Sequence, residues 1–466
     1  MTDPRHIDGR AAADAERLAA ELGPTVRALF PAVRADLERL VRVPSMSAAG
    51  YDAAPVRESA RITAEILRAA GAEVRILEGA DAHPAVVGRV AGPAGAPTVL
   101  LYAHHDVQPP GPRDRWASDA FTPTERDGRL FGRGSSDDKS GIVAHAAAIR
   151  AWGGKPPVNV ALFIEGEEES GSTHLAGFLA AEHALLDADA VVIADSGNWR
   201  VGEPAITTTL RGNVLVTVEV RTADHAVHSG EYGGSVPDAN MALVRLLASL
   251  HDDRGSVAVK GLRTGDADPL DLTEAELRGW IGTRPSVELI GTGSLTARLW
   301  QQPSISITGI DATSVAESSN TLWPVARARV SMRIPPGQPG RAAQDALVAH
   351  LESHAPWGAE VTVTRGSIGE AFVSAAAGPA YLAMRAALGA AWGRDARDIG
   401  MGGSIPFLFD FARIFPKAAL LVTGVADPAS NAHSEDESLD LRELERGCVA
   451  EAVFLGLMGS VGGRGA

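Results

Sequence analysis

Three short clusters of metal-ligating side chains lie close together in the sequence. They are Tyr-Ala-His-His-Asp-Val-Gln-Pro at 102–109, Gly-Arg-Gly-Ser-Ser-Asp-Asp-Lys at 132–139 and Glu-Gly-Glu-Glu-Glu-Ser-Gly at 165–171. In the first, His104 and Asp106 are two residues apart, so at the end of an extended segment they face the same side. Neutral imidazole is a ligand for zinc. A carboxylate two positions on accepts the other ring N–H, which fixes the tautomer and raises the basicity of the ligating nitrogen. His105 then points the other way and is expected to be structural.

The second cluster puts paired acids in a glycine turn. Asp138 fits the N-terminal cap of a following helix as well as it fits a functional role. Asp137 is assigned as a carboxylate bridging two cations, one oxygen to each. In the third cluster, adjacent carboxylates repel one another unless a cation neutralises them. Glu169 is read as a ligand. Glu168 is read as the base that takes a proton from the attacking water, its pKa raised by neighbouring acids and partial burial. Glu165 and Glu167 are expected around the site or facing solvent. Asp195 and His433 complete the set. The three carboxylates Asp137, Glu169 and Asp195, with one hydroxide, balance two divalent ions, and His104 and His433 supply one imidazole to each. Two such ions about 3.5–4 Å apart lower the pKa of water toward about 7 and polarise a carbonyl under attack. Zn2+, Mn2+ and Co2+ all suit such a carboxylate-rich site with imidazole ligands.

Such residues need a frame. Apolar runs at 98–102, 159–164, 190–194 and 418–423 read as buried strands, and helical periodicity covers 57–70, 141–152 and 441–458. A further helical pattern at 11–42 is expected to pack outside the catalytic core. His104, Glu168-Glu169, Asp195 and His433 each follow one of the four strands, where open α/β sheets form their sites. The expected fold class is α/β, a catalytic domain (1–206 and 373–466) with a central, mostly parallel sheet. The intervening 207–372 reads as an inserted ferredoxin-like lid or dimerisation domain of order β-α-β-β-α-β. Its strands are expected at 213–222, 304–308, 326–334 and 360–365 and its helices at 238–251 and 341–354. The stretch 252–303 reads as a long connection with a short helix near 274–280.

The bulk numbers narrow the function class. A chain of 466 residues exceeds one ordinary core, so two domains are the default. The formal net charge of −15 comes without a basic stripe, which argues against nucleic acid as a partner. No run approaches the roughly 20 apolar residues of a membrane span, and the polar start carries no apolar signal core, so the cytoplasm is the expected compartment. The single cysteine, Cys448, rules out an internal disulfide and reads as a buried structural thiol in a helix.

The combination of His104, Asp137, Glu168-Glu169, Gly402-Gly403-Ser404-Ile405-Pro406 and His433 resembles the zinc-dependent dipeptidase and carboxypeptidase family. That family includes cytosolic nonspecific dipeptidase, carnosinase, succinyl-diaminopimelate desuccinylase and aminoacylase. The resemblance runs from about residue 30 to the C-terminus. It implies that His104 and Asp195 bind one zinc, that Glu169 and His433 bind the other, and that Asp137 bridges them, with a cis peptide to Asp138. It makes Glu168 the general base and Asp106 the partner of His104. Arg211-Gly212 and the 228–234 segment resemble the family's dimer region, which implies a homodimer through the lid, with His228 reaching the neighbouring subunit's site to stabilise an oxyanion. Arg333, Gly403, Ser404 and Thr321 match positions that hold the substrate, the first three its carboxylate. One departure stands out: Gly378-Pro379-Ala380 replaces a His-Pro-His-like segment. The implied activity is cleavage of dipeptides or short peptides with a free C-terminal carboxylate. Removal of an acyl group from N-acyl amino acids is the alternative.

Overall fold

The computed structural model describes residues 9–403, 405 and 407–461. The chain divides into two compact units, one of residues 1–208, 374–399 and 406–466, the other of Thr209–Val373 and Gly400–Ile405.

The first unit is built on a mixed sheet. Its strands run in the order Glu73–Leu77, Ala85–Val90, Asn159–Glu165, Thr98–His104, Ala190–Ile193, Ala419–Val422 and Ala205–Leu210. The four from Asn159–Glu165 to Ala419–Val422 are parallel, and the flanking pairs are antiparallel. Thr98–His104 and Asn159–Glu165 are buried at every position after the first. That burial on both faces is why they read as continuous apolar runs rather than alternating ones. The helices Ala54–Ala69, Lys139–Ala151, Pro379–Trp392 and Leu441–Val461 also belong to this unit.

The helix Gly9–Val41 corrects the expectation that this segment lies outside the core. Leu18, Leu22, Val26, Val33, Leu37 and Leu40 are buried in the same cluster as Val99 and Leu101 of the central sheet. Their spacing of three, four and seven residues makes one apolar face. The periodicity was legible, but which surface the face covers was not. No helix among the described residues is long and apolar enough to cross a membrane.

The second unit holds a four-stranded antiparallel sheet in the order Ser304–Asp311, Val325–Ile334, Gly212–Arg221, Glu360–Gly369. Helices Ala239–Ala248 and Gly340–Ser353 complete a ferredoxin-like β-α-β-β-α-β module. Val214, Val216, Val218 and Val220 alternate inward on its central strand. The long connection holds the expected short helix, Glu274–Ile281, and a second one, Leu295–Trp300, that its length concealed.

The segment Gly400–Ile405 sits with this second unit, although its sequence position puts it in the C-terminal stretch. Arg211 explains the difference. Its backbone N–H donates to Met401 O at 3.2 Å and its Nε to Gly402 O at 3.3 Å. A Cβ on Gly400 would come within 2.6 Å of Trp300.

Candidate metal centre

The site forms where the four parallel strands end. His104 is the last residue of its strand, Glu168 and Glu169 follow Glu165, Asp195 follows Ile193, and His433 lies in the loop beyond Val422. Two turns need glycine here. Gly134 has φ of +81°, and a Cβ on it would lie 2.6 Å from Val107. A Cβ on Gly166 would lie 2.3 Å from Pro84 O.

At the centre is Asp137. Its Oδ1 lies 3.0 Å from His104 Nε2, and its Oδ2 lies 3.0 Å from His433 Nε2. Glu169 Oε2 is also 3.0 Å from His433 Nε2. The ligand atoms of His104, Asp137 and Glu169 lie within 4.8 Å of one another, as do those of His104, Glu168 and Asp195. His433 has a left-handed backbone, φ +63°, an uncommon conformation for a non-glycine residue. The Asp137–Asp138 peptide is cis.

Asp106 ties these groups together. Its Oδ1 is 3.4 Å from His104 Nδ1 and accepts the Glu168 N–H at 3.3 Å. Its Oδ2 accepts the Glu169 N–H at 3.0 Å and the Ser47 hydroxyl at 2.6 Å. One carboxylate thus orients an imidazole and the backbone of the paired glutamates. The two glutamates differ in their own side-chain bonds. Glu169 accepts from Gln108 Nε2 at 2.9 Å and from the Gln108 N–H at 3.2 Å. The Glu168 carboxylate makes no hydrogen bond among the described residues.

Electrostatics test whether cations fit. Burial raises Asp195 well above the ordinary carboxylate value, and the charges of Asp137 and Glu168 add to it. Burial pushes Glu168 up to about 8, against His104, with Glu169 and Asp106 raising it further. Hydrogen bonds donated by His433 to Asp137 and Glu169 raise its pKa to about 11. In His104, bonds to Asp106 and Asp137 overcome a burial that works against the charge. Four crowded carboxylates and two imidazoles that hold protons between them are a donor set short of positive charge. Divalent cations with N and O ligands supply it.

The surrounding residues divide into those anticipated and those missed. His105 is buried and structural, its Nε2 on Pro84 O at 2.8 Å, and burial lowers it to about 4. Asp138 sits at the N-cap of Lys139–Ala151 without a side-chain cap bond, and its Oδ2 accepts the His104 N–H at 3.3 Å. Glu165 and Glu167 do not face solvent. Glu165 binds the Tyr102 hydroxyl at 2.6 Å, and Glu167 binds His174 Nδ1 at 2.9 Å. Cys448 is buried, as expected. Sequence reasoning missed Gln108 and Glu437. Buried Glu437 accepts from Gly134 N–H, Ser136 N–H, Asp137 N–H and Arg133 Nη1 at 2.8–3.1 Å, so it holds the turn that carries Asp137. Its position four residues after His433 was the one available signal.

The other anticipated residues lie in the second unit. His228 ends a two-residue strand opposite Thr321, is exposed, and its Nδ1 accepts the Gly230 N–H at 3.0 Å. Arg333 lies on Val325–Ile334, opposite Asn213, and burial lowers its pKa. Gly403 is half-buried beside the Arg211-bound turn, and Ser404 lies outside the described residues.

Residues 100–455 match the family model of peptidase family M20/M25/M40. The chain belongs to that family. It is therefore a metal-dependent peptidase. A cysteinylglycine-S-conjugate dipeptidase from Corynebacterium striatum is 34% identical over 408 residues, covering 85% of this chain and 89% of the relative. A β-Ala-His dipeptidase from Homo sapiens is 31% identical, covering 74% of this chain and 71% of the relative. The solved structure of human carnosine dipeptidase 1 superposes with a TM-score of 0.79 at 25% identity, over 95% of this chain and 99% of that one. The di-peptidase Dug1p of Saccharomyces cerevisiae shares the fold with a TM-score of 0.80 at 22% identity, over 95% and 98% of the two chains.

Proposed function

We propose that this M20 peptidase uses two divalent ions to cleave dipeptides or short peptides that carry a free C-terminal carboxylate. The observation that carries the reading is Asp137, whose two oxygens each face a different imidazole at 3.0 Å. A carboxylate with one oxygen toward each of two imidazoles suits a group shared between two cations. The relatives named as Cys-Gly-conjugate and β-Ala-His dipeptidases support dipeptides as the substrate class.

His104 and Asp195 are assigned to one ion, Glu169 and His433 to the other, and Asp137 to both, with Zn2+ as the metal. When bound, the ions supply Lewis acidity and a water of lowered pKa. Glu169 is assigned as a ligand because Gln108 and His433 hold its carboxylate in place. Glu168, free of such bonds and pushed up to about 8, is assigned as the base. It takes the proton of the attacking water and returns it to the leaving amine. Asp106 keeps the His104 ring oriented. In the lid, Arg333, Gly403, Ser404 and Thr321 are assigned to the substrate, the first three to its carboxylate. His228 is assigned to the oxyanion of a partner subunit's site in a homodimer. The cytoplasm is the proposed compartment, in keeping with a single thiol that is buried and free.

The test is turnover of Cys-Gly, β-Ala-His and Ala-Ala against N-acetyl amino acids, with metal analysis before and after chelation. Dipeptide cleavage lost with chelation and restored by Zn2+, at two ions per chain, is expected. Hydrolysis of the N-acetyl amino acids alone would replace the peptide reading with the acyl one.

A further inference from the structure

The second unit contains a cavity of about 400 Å3, away in sequence from every assigned metal ligand. It is built largely from the 252–303 connection. Its charged lining is cationic, Arg211 and Arg298, with no carboxylate among the lining residues, and burial lowers the pKa of His251, which also lines it. That is unusual in a chain of net charge −15. Arg211 is 8% exposed. Its hydrogen bonds go to neutral acceptors, Gly402 O, Arg298 O and Gln302 O at 3.3 Å and Ser304 Oγ at 3.0 Å. Burial and the charge of Arg333 lower it to about 10, and no acid opposes them. Buried charges in proteins are as a rule paired with an opposite charge.

A second observation concerns the same lining. Ser256 lines the cavity, and its Oγ is buried with no hydrogen-bond partner among the described residues. The rest of the lining is largely apolar, including Leu277 and Ile290, the latter 66% exposed. The volume falls within the range of small-molecule sites, about 300–1,000 Å3.

We propose that this cavity binds a small amphipathic organic anion, whose charged head neutralises Arg211 and accepts from Ser256 and whose apolar body lies against Leu277 and Ile290. A carboxylate and a phosphate monoester share the required head-group chemistry. No assigned metal ligand lines the cavity, and its test does not depend on the dipeptide reading.

The experiment is isothermal titration calorimetry on the full-length, metal-free protein, so that the metal centre cannot take the anion. The probes are hexanoate, hexyl phosphate and the neutral control hexan-1-ol. Saturable one-to-one binding of at least one anion, and none of hexan-1-ol, is expected. Loss of a charge-assisted bond in Arg211→Met should weaken binding by about tenfold or more. Because that change also removes bonds to Gly402 and Ser304, Leu277→Trp provides a second variant that fills the space and keeps Arg211. It should abolish binding, and Ser256→Ala should weaken it. Failure of both anions to bind, equal binding of hexan-1-ol, or binding that survives both Arg211→Met and Leu277→Trp overturns the proposal.

Discussion

Asp106→Asn separates a positioning carboxylate from a mere neighbour of the metal site, because the change keeps the shape and removes one acceptor. The Asp106 carboxylate accepts three hydrogen bonds, Oδ1 from the Glu168 N–H and Oδ2 from the Glu169 N–H and the Ser47 hydroxyl; Oδ1 also lies 3.4 Å from His104 Nδ1, whose own hydrogen bond is to the Asp106 backbone O at 3.2 Å. Placing the new NH2 at Oδ1 would set it against two donors. Placing it at Oδ2 is better, since the Ser47 hydroxyl can rotate and accept, but the Glu169 N–H is then left without a partner. One buried N–H so orphaned costs about 1–3 kcal/mol. Independently, replacing an outer-shell partner of a ligand lowers metal affinity by about 10–100-fold, or about 1.4–2.8 kcal/mol. The first cost falls on folding stability with or without metal, and the second on metal affinity. Competition of the protein against a fluorescent chelator should therefore show Zn2+ affinity down by about 10–100-fold. Wild-type affinity in Asp106→Asn, with the variant folded by circular dichroism, would refute the argument that Asp106 sets the geometry of both His104 and Glu169.

Other outcomes follow from the same structure. Glu168→Ala should keep its metal and lose about 10²–10⁴ in kcat, the usual contribution of a general base; a fully active variant removes Glu168 from the mechanism. His228→Ala should keep its metal and lose about 10²–10³ in kcat, and mixing it with a metal-ligand variant should restore part of the activity through hybrid dimers; a monomer by sedimentation that turns over normally contradicts the role in trans. In the metal-free protein, His433 is raised from 6.5 to about 11, so its interaction with Asp137 and Glu169 stabilises the fold below about pH 6.5 and is lost as pH rises toward about 11. Denaturant unfolding of metal-free wild type against His433→Ala across that range should show a modest advantage that fades upward, modest because the ring is 56% exposed. Leu37→Ala, in the buried face of Gly9–Val41, should cost about 2–5 kcal/mol by the same measurement; a change under about 1 kcal/mol would return that helix to the periphery.

Much of the architecture was legible because its signals are local. Strands buried on both faces must be apolar throughout, so Thr98–His104 and Asn159–Glu165 announce themselves. The alternation of Val214, Val216, Val218 and Val220 does the same for a sheet with one covered face. Residue chemistry is also local: the adjacent carboxylates Glu168 and Glu169 just after a strand point to a cation. Partners distant in the chain carry no such signal. Nothing near Asp137 in sequence indicates that Glu437 holds its turn, or that Gln108 fixes Glu169. The apolar face of Gly9–Val41 was visible, but the surface it covers depends on helices more than a hundred residues away.

The sequence by itself determined the element types, the donor chemistry and the placement of that chemistry at strand ends. Those follow from side-chain polarity and backbone periodicity, which act over a few residues. Tertiary structure decided which atoms meet: both oxygens of Asp137 toward two imidazoles, Gly402 against Arg211, and a cationic cavity closed by the 252–303 connection. Such contacts are selected by the packing of the whole chain, where the cost of an unpaired buried group is settled by partners that no local pattern encodes.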